Sequence, residues 1–166
     1  MPPTNLEKEA VKITEELGKV AFVGAFAVNH YVEFRATRDI DLVVGGQLDE
    51  GRLRELGYTK REGSRNSWYT PRGIQADFYT RDVGRIPVEW VLDNAVPVRV
   101  GKKKISIISL EGLIIAKHRA GRSQDVADLR RLVANRAKDI DWDVMSELGT
   151  DLEIEELRQV ARATGG

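Results

Sequence analysis

Two aspartates one residue apart, Asp39 and Asp41, stand at the mouth of an apolar run in Arg35-Ala36-Thr37-Arg38-Asp39-Ile40-Asp41-Leu42-Val43-Val44. Leu42 to Val44 reads as a buried strand. Side chains at i and i+2 of a strand share a face, so the two carboxylates point the same way. Like charges held that close call for a divalent cation, an arginine, or a proton shared at raised pKa. A third acid, Asp77, lies inside a second strand-like run, Ile74-Gln75-Ala76-Asp77-Phe78-Tyr79-Thr80. A carboxylate among strand neighbours is costly to desolvate without a partner, so Asp77 is expected to face the same cation. Converging carboxylates suit Mg2+ or Mn2+ completed by water and substrate phosphate oxygens. Two such ions about 3.5 to 4 Å apart activate an attacking hydroxyl and stabilise a leaving pyrophosphate.

The elements that must position these acids follow from spacing. Leu6, Ala10, Ile13, Thr14 and Leu17 keep helical spacing behind a Thr4 cap, and Gly18 ends the helix. Lys19 to Val23 reads as a short buried strand broken at Gly24, and Ala25 to Glu33 as a helix starting there. A glycine at a strand-to-helix turn lets backbone approach a phosphate, and free N–H groups at the helix start attract it. Taken alone, Gly24 reads more simply as a turn residue. Asp39 to Val44 is the second strand and Leu48 to Leu56 a short helix. Ser67 to Thr70 and Ile74 to Thr80 form a hairpin around Pro71-Arg72-Gly73, and Val96 to Val100 and Ile105 to Ile108 another around Gly101. Ser109 caps a helix from Leu110 to about Arg119, and Ser123 caps one from Gln124 to Ala137. Two short amphipathic helices close the chain. The order implies an α+β (α/β) domain with a mixed β-sheet flanked by helices. We expect one domain over 1–137 and an acidic C-terminal helical extension, 138–166, packed on it.

The 166 residues suffice for one domain with a sizeable core. No apolar stretch approaches a membrane span, and the start lacks the layout of a signal peptide, so a cytoplasmic protein is expected. The absence of cysteine removes disulfides, thiolate nucleophiles and Cys-based zinc sites, and leaves only His30 and His118 as imidazole ligands. Net charge is zero but uneven. Residues 99–138 hold eleven Lys or Arg against three acids, and residues 139–158 hold one Arg against eight acids. The basic segment suits phosphates or a solvated helix face, and the acidic one a fold-back or a partner.

Taken together, Phe22-Val23-Gly24-Ala25, then Arg35 to Leu42, then Ala76-Asp77-Phe78, resemble the nucleotidyltransferase pattern of the DNA polymerase β-type superfamily. That pattern is a Gly-Gly or Gly-Ser turn, a downstream Asp-x-Asp, and a third Asp on a later strand. The run from Leu110 to Leu129 resembles the helical part of the subgroup related to type IV toxin–antitoxin (AbiEii-like) toxins. The resemblance implies a polymerase β-like fold and transfer of a nucleoside monophosphate (NMP) from a nucleoside triphosphate (NTP) to a hydroxyl, with pyrophosphate released. It implies that Asp39 and Asp41 ligate the metal ions, and that Asp77 completes the site and helps deprotonate the acceptor. Gly24 and Ala25 would meet the β and γ phosphates, Lys117 would place a charge near the triphosphate, and Arg35 and Thr37 match the basic and hydroxyl positions before Asp39. RNA or tRNA, a protein side chain and a small molecule all fit as acceptor, and an antitoxin fits as partner. The basic segment leans toward RNA.

One position departs from the pattern. Ala25 stands where Gly or Ser is usual, which removes a phosphate-binding hydroxyl or hands its role to Thr37. The alternative reading is therefore a catalytically degenerate member that binds nucleotide or a partner. At the level of the residues alone, Asp39 and Asp41 could cap a turn and pair with Arg35 and Arg38, and Asp125 and Asp128 could complement the start of their helix. The residues before Asp39 are polar, unlike those of haloacid dehalogenase-type phosphatases, and no P-loop motif is present.

Overall fold

The computed structural model describes residues 2–32 and 36–165. The chain opens with helix α1 (Asn5–Leu17), where Thr4 accepts from the Glu7 N–H and Glu7 accepts from the Thr4 N–H. This reciprocal cap satisfies two end donors, and the apolar face built on Ala10 and Ile13 is fully buried. Then come β1 (Val20–Val23), α2 (Gly24–Tyr31), β2 (Ile40–Val44) and α3 (Glu50–Glu55). The middle of the chain carries β3 (Thr59–Lys60), β4 (Ser67–Tyr69), β5 (Gln75–Tyr79), β6 (Asp82–Val83), β7 (Ile86–Pro87), α4 (Val88–Asp93), β8 (Val96–Val100) and β9 (Lys103–Ile107). The C-terminal part is helical: α5 (Leu110–Ala120), α6 (Ser123–Arg136), α7 (Trp142–Leu148) and α8 (Asp151–Gly165).

Seven strands form one mixed sheet in the order β3-β4-β5-β2-β1-β9-β8, and β6-β7 is a separate hairpin. β1 runs antiparallel to β2, while β2 pairs parallel with β5 and β1 parallel with β9. The central strands are apolar on both faces because helices cover both; Ile40, Leu42, Val43, Phe22 and Ala21 are fully buried. The mixed α+β architecture and both expected hairpins are therefore present. The short β3, the β6-β7 hairpin and α4 were not anticipated, because runs of two to six residues carry too little periodicity to read.

Three local expectations change. Ser123 is the first residue of α6 rather than its cap; the Arg122 N–H donates to the Asp125 carboxylate three residues on. Asp125, in the first turn of α6 as expected, and Asp128 do more than complement the helix start, since each is buried at only 1% exposed. The basic segment 99–138 does not form one face. β9 runs parallel to β1 and ends beside Phe22, so the Gly101 turn and its lysines lie at the end of the sheet away from Val23. Lys103 there pairs with Glu15 of α1. The acidic stretch after residue 138 folds back: Met145, Ile154 and Leu157 are buried, and Arg119 of α5 bonds Glu153 and the Leu148 carbonyl. No helix among the described residues is long and apolar enough to cross a membrane.

Candidate active site

A single rung of the sheet builds the site. Val23 of β1 stands opposite Asp41 of β2, Asp41 opposite Asp77 of β5, and Asp77 opposite Ser67 of β4. Directly paired residues project from the same face about 5 Å apart, so the register delivers Asp41 and Asp77 side by side. Asp39 lies two residues before Asp41, just ahead of the strand, and joins them along one cleft of about 530 Å³. Ser67 Oγ donates to Asp77 at 2.5 Å, and Gln75 Nε2 donates to it at 3.2 Å. These contacts fix the orientation of the Asp77 carboxylate but bring no charge.

Among the described residues, none of Asp39, Asp41 and Asp77 forms an ion pair with an Arg or Lys. The consequence appears at Asp41. Burial, then the charges of Asp77 and Asp39, push its carboxyl up from 3.8 to about 6, with Lys117 opposing. An acid in that condition calls for a counter-charge or a shared proton. Among the described residues no three acid or imidazole groups are gathered closely enough to hold a metal unaided. The donors present are carboxylate oxygens, which suit a hard ion such as Mg2+ only with further oxygens from water or a phosphate.

Gly24 turns at φ +64°, and a β-carbon there would collide with the Asp41 carboxylate. Glycine is thus required as much by Asp41 as by any approaching phosphate. The start of α2 has no side-chain cap, so its first N–H groups remain available where Gly24 and Ala25 line the cleft. Thr37 lines the cleft too, its hydroxyl donating to the Asp39 carbonyl at 3.3 Å. Arg35 lies outside the described residues.

Lys117 reaches the cleft from α5, with the amino group clamped between two buried carboxylates. Its Nζ stands 3.0 Å from Asp125 and 3.1 Å from Asp128. Burial alone would raise the Asp125 carboxyl, but hydrogen bonds from Arg122 and Lys117 hold it below the usual carboxylate range. The Arg122 side chain, 78% exposed, is anchored through Nε at 2.6 Å from Asp125. Seven of the eight expected site residues thus share one cleft. Tyr79 and Arg122 line it as well and were not foreseen. The signal for Tyr79 was present, since it follows Asp77 by two on a strand. No spacing rule links Arg122 to β5.

Residues 70–165, more than half of the chain, match the model of a family described as "Nucleotidyl transferase of unknown function (DUF2204)". No curated protein matches the sequence. Solved structures do. An antigenic nucleotidyltransferase-like protein from Paracoccidioides brasiliensis aligns over 92% of this chain and 83% of its own, at 15% identity and TM-score 0.56. ANT(2″)-Ia in complex with adenylyl-2″-tobramycin aligns over 95% of both chains, at 14% identity and TM-score 0.54. An H. pylori protein assigned as a nucleotidyltransferase aligns over 96% of this chain and 91% of its own, at 16% identity and TM-score 0.57. At these identities the likeness is one of fold.

Proposed function

Because the chain belongs to this DUF2204 nucleotidyl transferase family, we propose that the acidic cleft moves an NMP from an NTP to a hydroxyl acceptor with the help of Mg2+ or Mn2+. The observation that carries the reading is the pair Asp41–Asp77, set on one rung without a basic partner among the described residues. In this reading Asp39 and Asp41 hold the cation, and Asp77, oriented by Ser67 and Gln75, completes its shell and takes the acceptor proton. The bound ion supplies charge stabilisation to the α-phosphate and the leaving pyrophosphate. The acceptor oxygen bonds to the α-phosphorus as the bond to the bridging oxygen breaks. Amides of Gly24 and Ala25, the Thr37 hydroxyl, Lys117 and Arg35 take the triphosphate.

Acceptor and setting belong to the same reading. RNA or tRNA, a protein side chain and a small molecule remain the acceptor classes. The small-molecule class gains support from ANT(2″)-Ia, a fold neighbour seen with an adenylylated tobramycin. The AbiEii-like resemblance adds an antitoxin partner, and the setting is the cytoplasmic one expected from the sequence. A second reading, nucleotide binding without catalysis, is favoured by one observation: the residue beside Gly24 in the cleft is Ala25, with a methyl group and no hydroxyl.

The deciding assay supplies labelled NTPs and Mg2+ with bulk cellular RNA, an aminoglycoside set or a protein mixture, and follows label transfer. Transfer that vanishes in Asp39→Ala and Asp41→Ala is expected. Transfer that survives both substitutions overturns catalysis in this cleft. Mg2+-dependent NTP binding without transfer selects the second reading, and no binding of any NTP overturns both.

A further inference from the structure

Four tyrosines occur in the chain, and two of them have their hydroxyls engaged: Tyr31 donates to the Ile108 carbonyl at 2.7 Å, and Tyr58 donates to Glu16 at 2.8 Å. Tyr79 differs. Its hydroxyl makes no hydrogen bond among the described residues, its side chain is 37% exposed, and it lines the acidic cleft. It follows Asp77 by two residues on β5, so the phenol and the carboxylate project from the same face. Asp41 and Asp77 both act on it electrostatically, as does Arg122. A phenol is protonated at neutral pH, so a nucleophilic role needs a base, and Asp77 is the neighbouring carboxylate on the same strand face.

We propose that Tyr79 is itself an acceptor, so that the protein transfers an NMP from a bound NTP onto Tyr79 Oη. The Oη–Pα bond forms, the bond from Pα to the bridging oxygen breaks, pyrophosphate leaves, and the phenolic proton passes to the Asp77 carboxylate. The product is a phosphodiester on a cleft-lining side chain. It places a nucleotide where the next substrate must enter, so modification shuts the cleft after one turnover. Arg122, exposed and anchored on Asp125 at the same wall, supplies the counter-charge for the attached phosphate.

The inference rests on the nucleotidyl-transfer reading and is separable from it by experiment. The full-length protein is incubated with Mg2+ and each NTP, then read by intact mass and by peptide mapping. A gain of one nucleotidyl group, mapped to Tyr79, is expected. Tyr79→Phe and Asp41→Asn should abolish the gain, while Tyr69→Phe, at an exposed tyrosine on the next strand, should keep it. Label that passes to an added acceptor while Tyr79 stays unmodified overturns this proposal and leaves the transferase reading standing. A mass gain that persists in Tyr79→Phe also overturns it. Absence of both transfer and NTP binding overturns the two together.

Discussion

Two acidic groups face the same cleft and are treated in opposite ways. Asp125 and Asp128, at the start of α6, are almost fully buried and share the ammonium of Lys117. On adjacent strands, Asp77 receives hydroxyl and amide donors, and neither it nor Asp41 pairs with a Lys or Arg among the described residues. The first group is an internally neutralised strut that ties α5 to α6. The second has no such partner, and burial, followed by the charges of Asp77 and Asp39, drives Asp41 to about 6. Buried charge is tolerated when its partner comes with the fold, and it marks a site when the partner must come from outside.

Removing the internal partner gives the largest expected effect. Lys117→Met removes the ammonium that two buried carboxylates share, leaving Arg122 on Asp125, and should cost about 3 to 5 kcal/mol in urea unfolding at pH 7.5. Adding Asp125→Asn and Asp128→Asn should recover most of that loss. A loss under about 1 kcal/mol would end the contrast between the two groups.

Asp41→Asn should act in the opposite direction on stability. The Asp41 pKa is raised in the fold, so its favourable contribution is fully present below about pH 3.8 and is lost as pH rises through about 6. Above that pH the ionised side chain costs up to about 3 kcal/mol. The Asn variant should therefore be more stable than the wild type at pH 8, by at most that amount, and equal to it near pH 4. Its nucleotidyl transfer should fall by at least about 10²-fold. Saturating Mg2+, at about 100 times its Kd, should stabilise the wild type by about 2.7 kcal/mol and the variant by far less. Equal stabilisation of both would place the ion elsewhere.

Smaller effects sharpen the picture. Ser67→Ala removes the 2.5 Å donor to Asp77. It should cost about 1 kcal/mol in stability, with a larger loss in kcat than in NTP affinity. Ala25→Ser restores a hydroxyl at the start of α2 and should lower the NTP KM a few-fold with little change in stability, by about one hydrogen bond. A rise in KM would show that the cleft has no room for that oxygen.

Much of this was legible in the chain. The Thr4 cap, the Gly18 stop, the Pro71–Gly73 turn and the alternation around Asp77 each depend on residues within a few positions. What escaped depends on distance along the chain. The Lys117–Asp125–Asp128 cluster spans the crossing of two helices, and the Gly101 lysines lie away from the cleft because β9 pairs parallel to β1. Arg122 was hidden for the same reason, whereas Tyr79 could have been found by counting two from Asp77.

Local spacing by itself determined which residues share a face: Asp39 with Asp41, and Asp77 with Tyr79. That follows because strand geometry repeats every two residues wherever the strand lies. The tertiary structure alone decided that β2 and β5 are neighbours in register. It also decided that Gly24 must lack a side chain to admit Asp41, and that one acidic cluster receives a lysine while the other pairs with no Lys or Arg among the described residues. Those outcomes turn on sheet order and helix crossing, which set the distance and burial of charges that the sequence leaves unspecified.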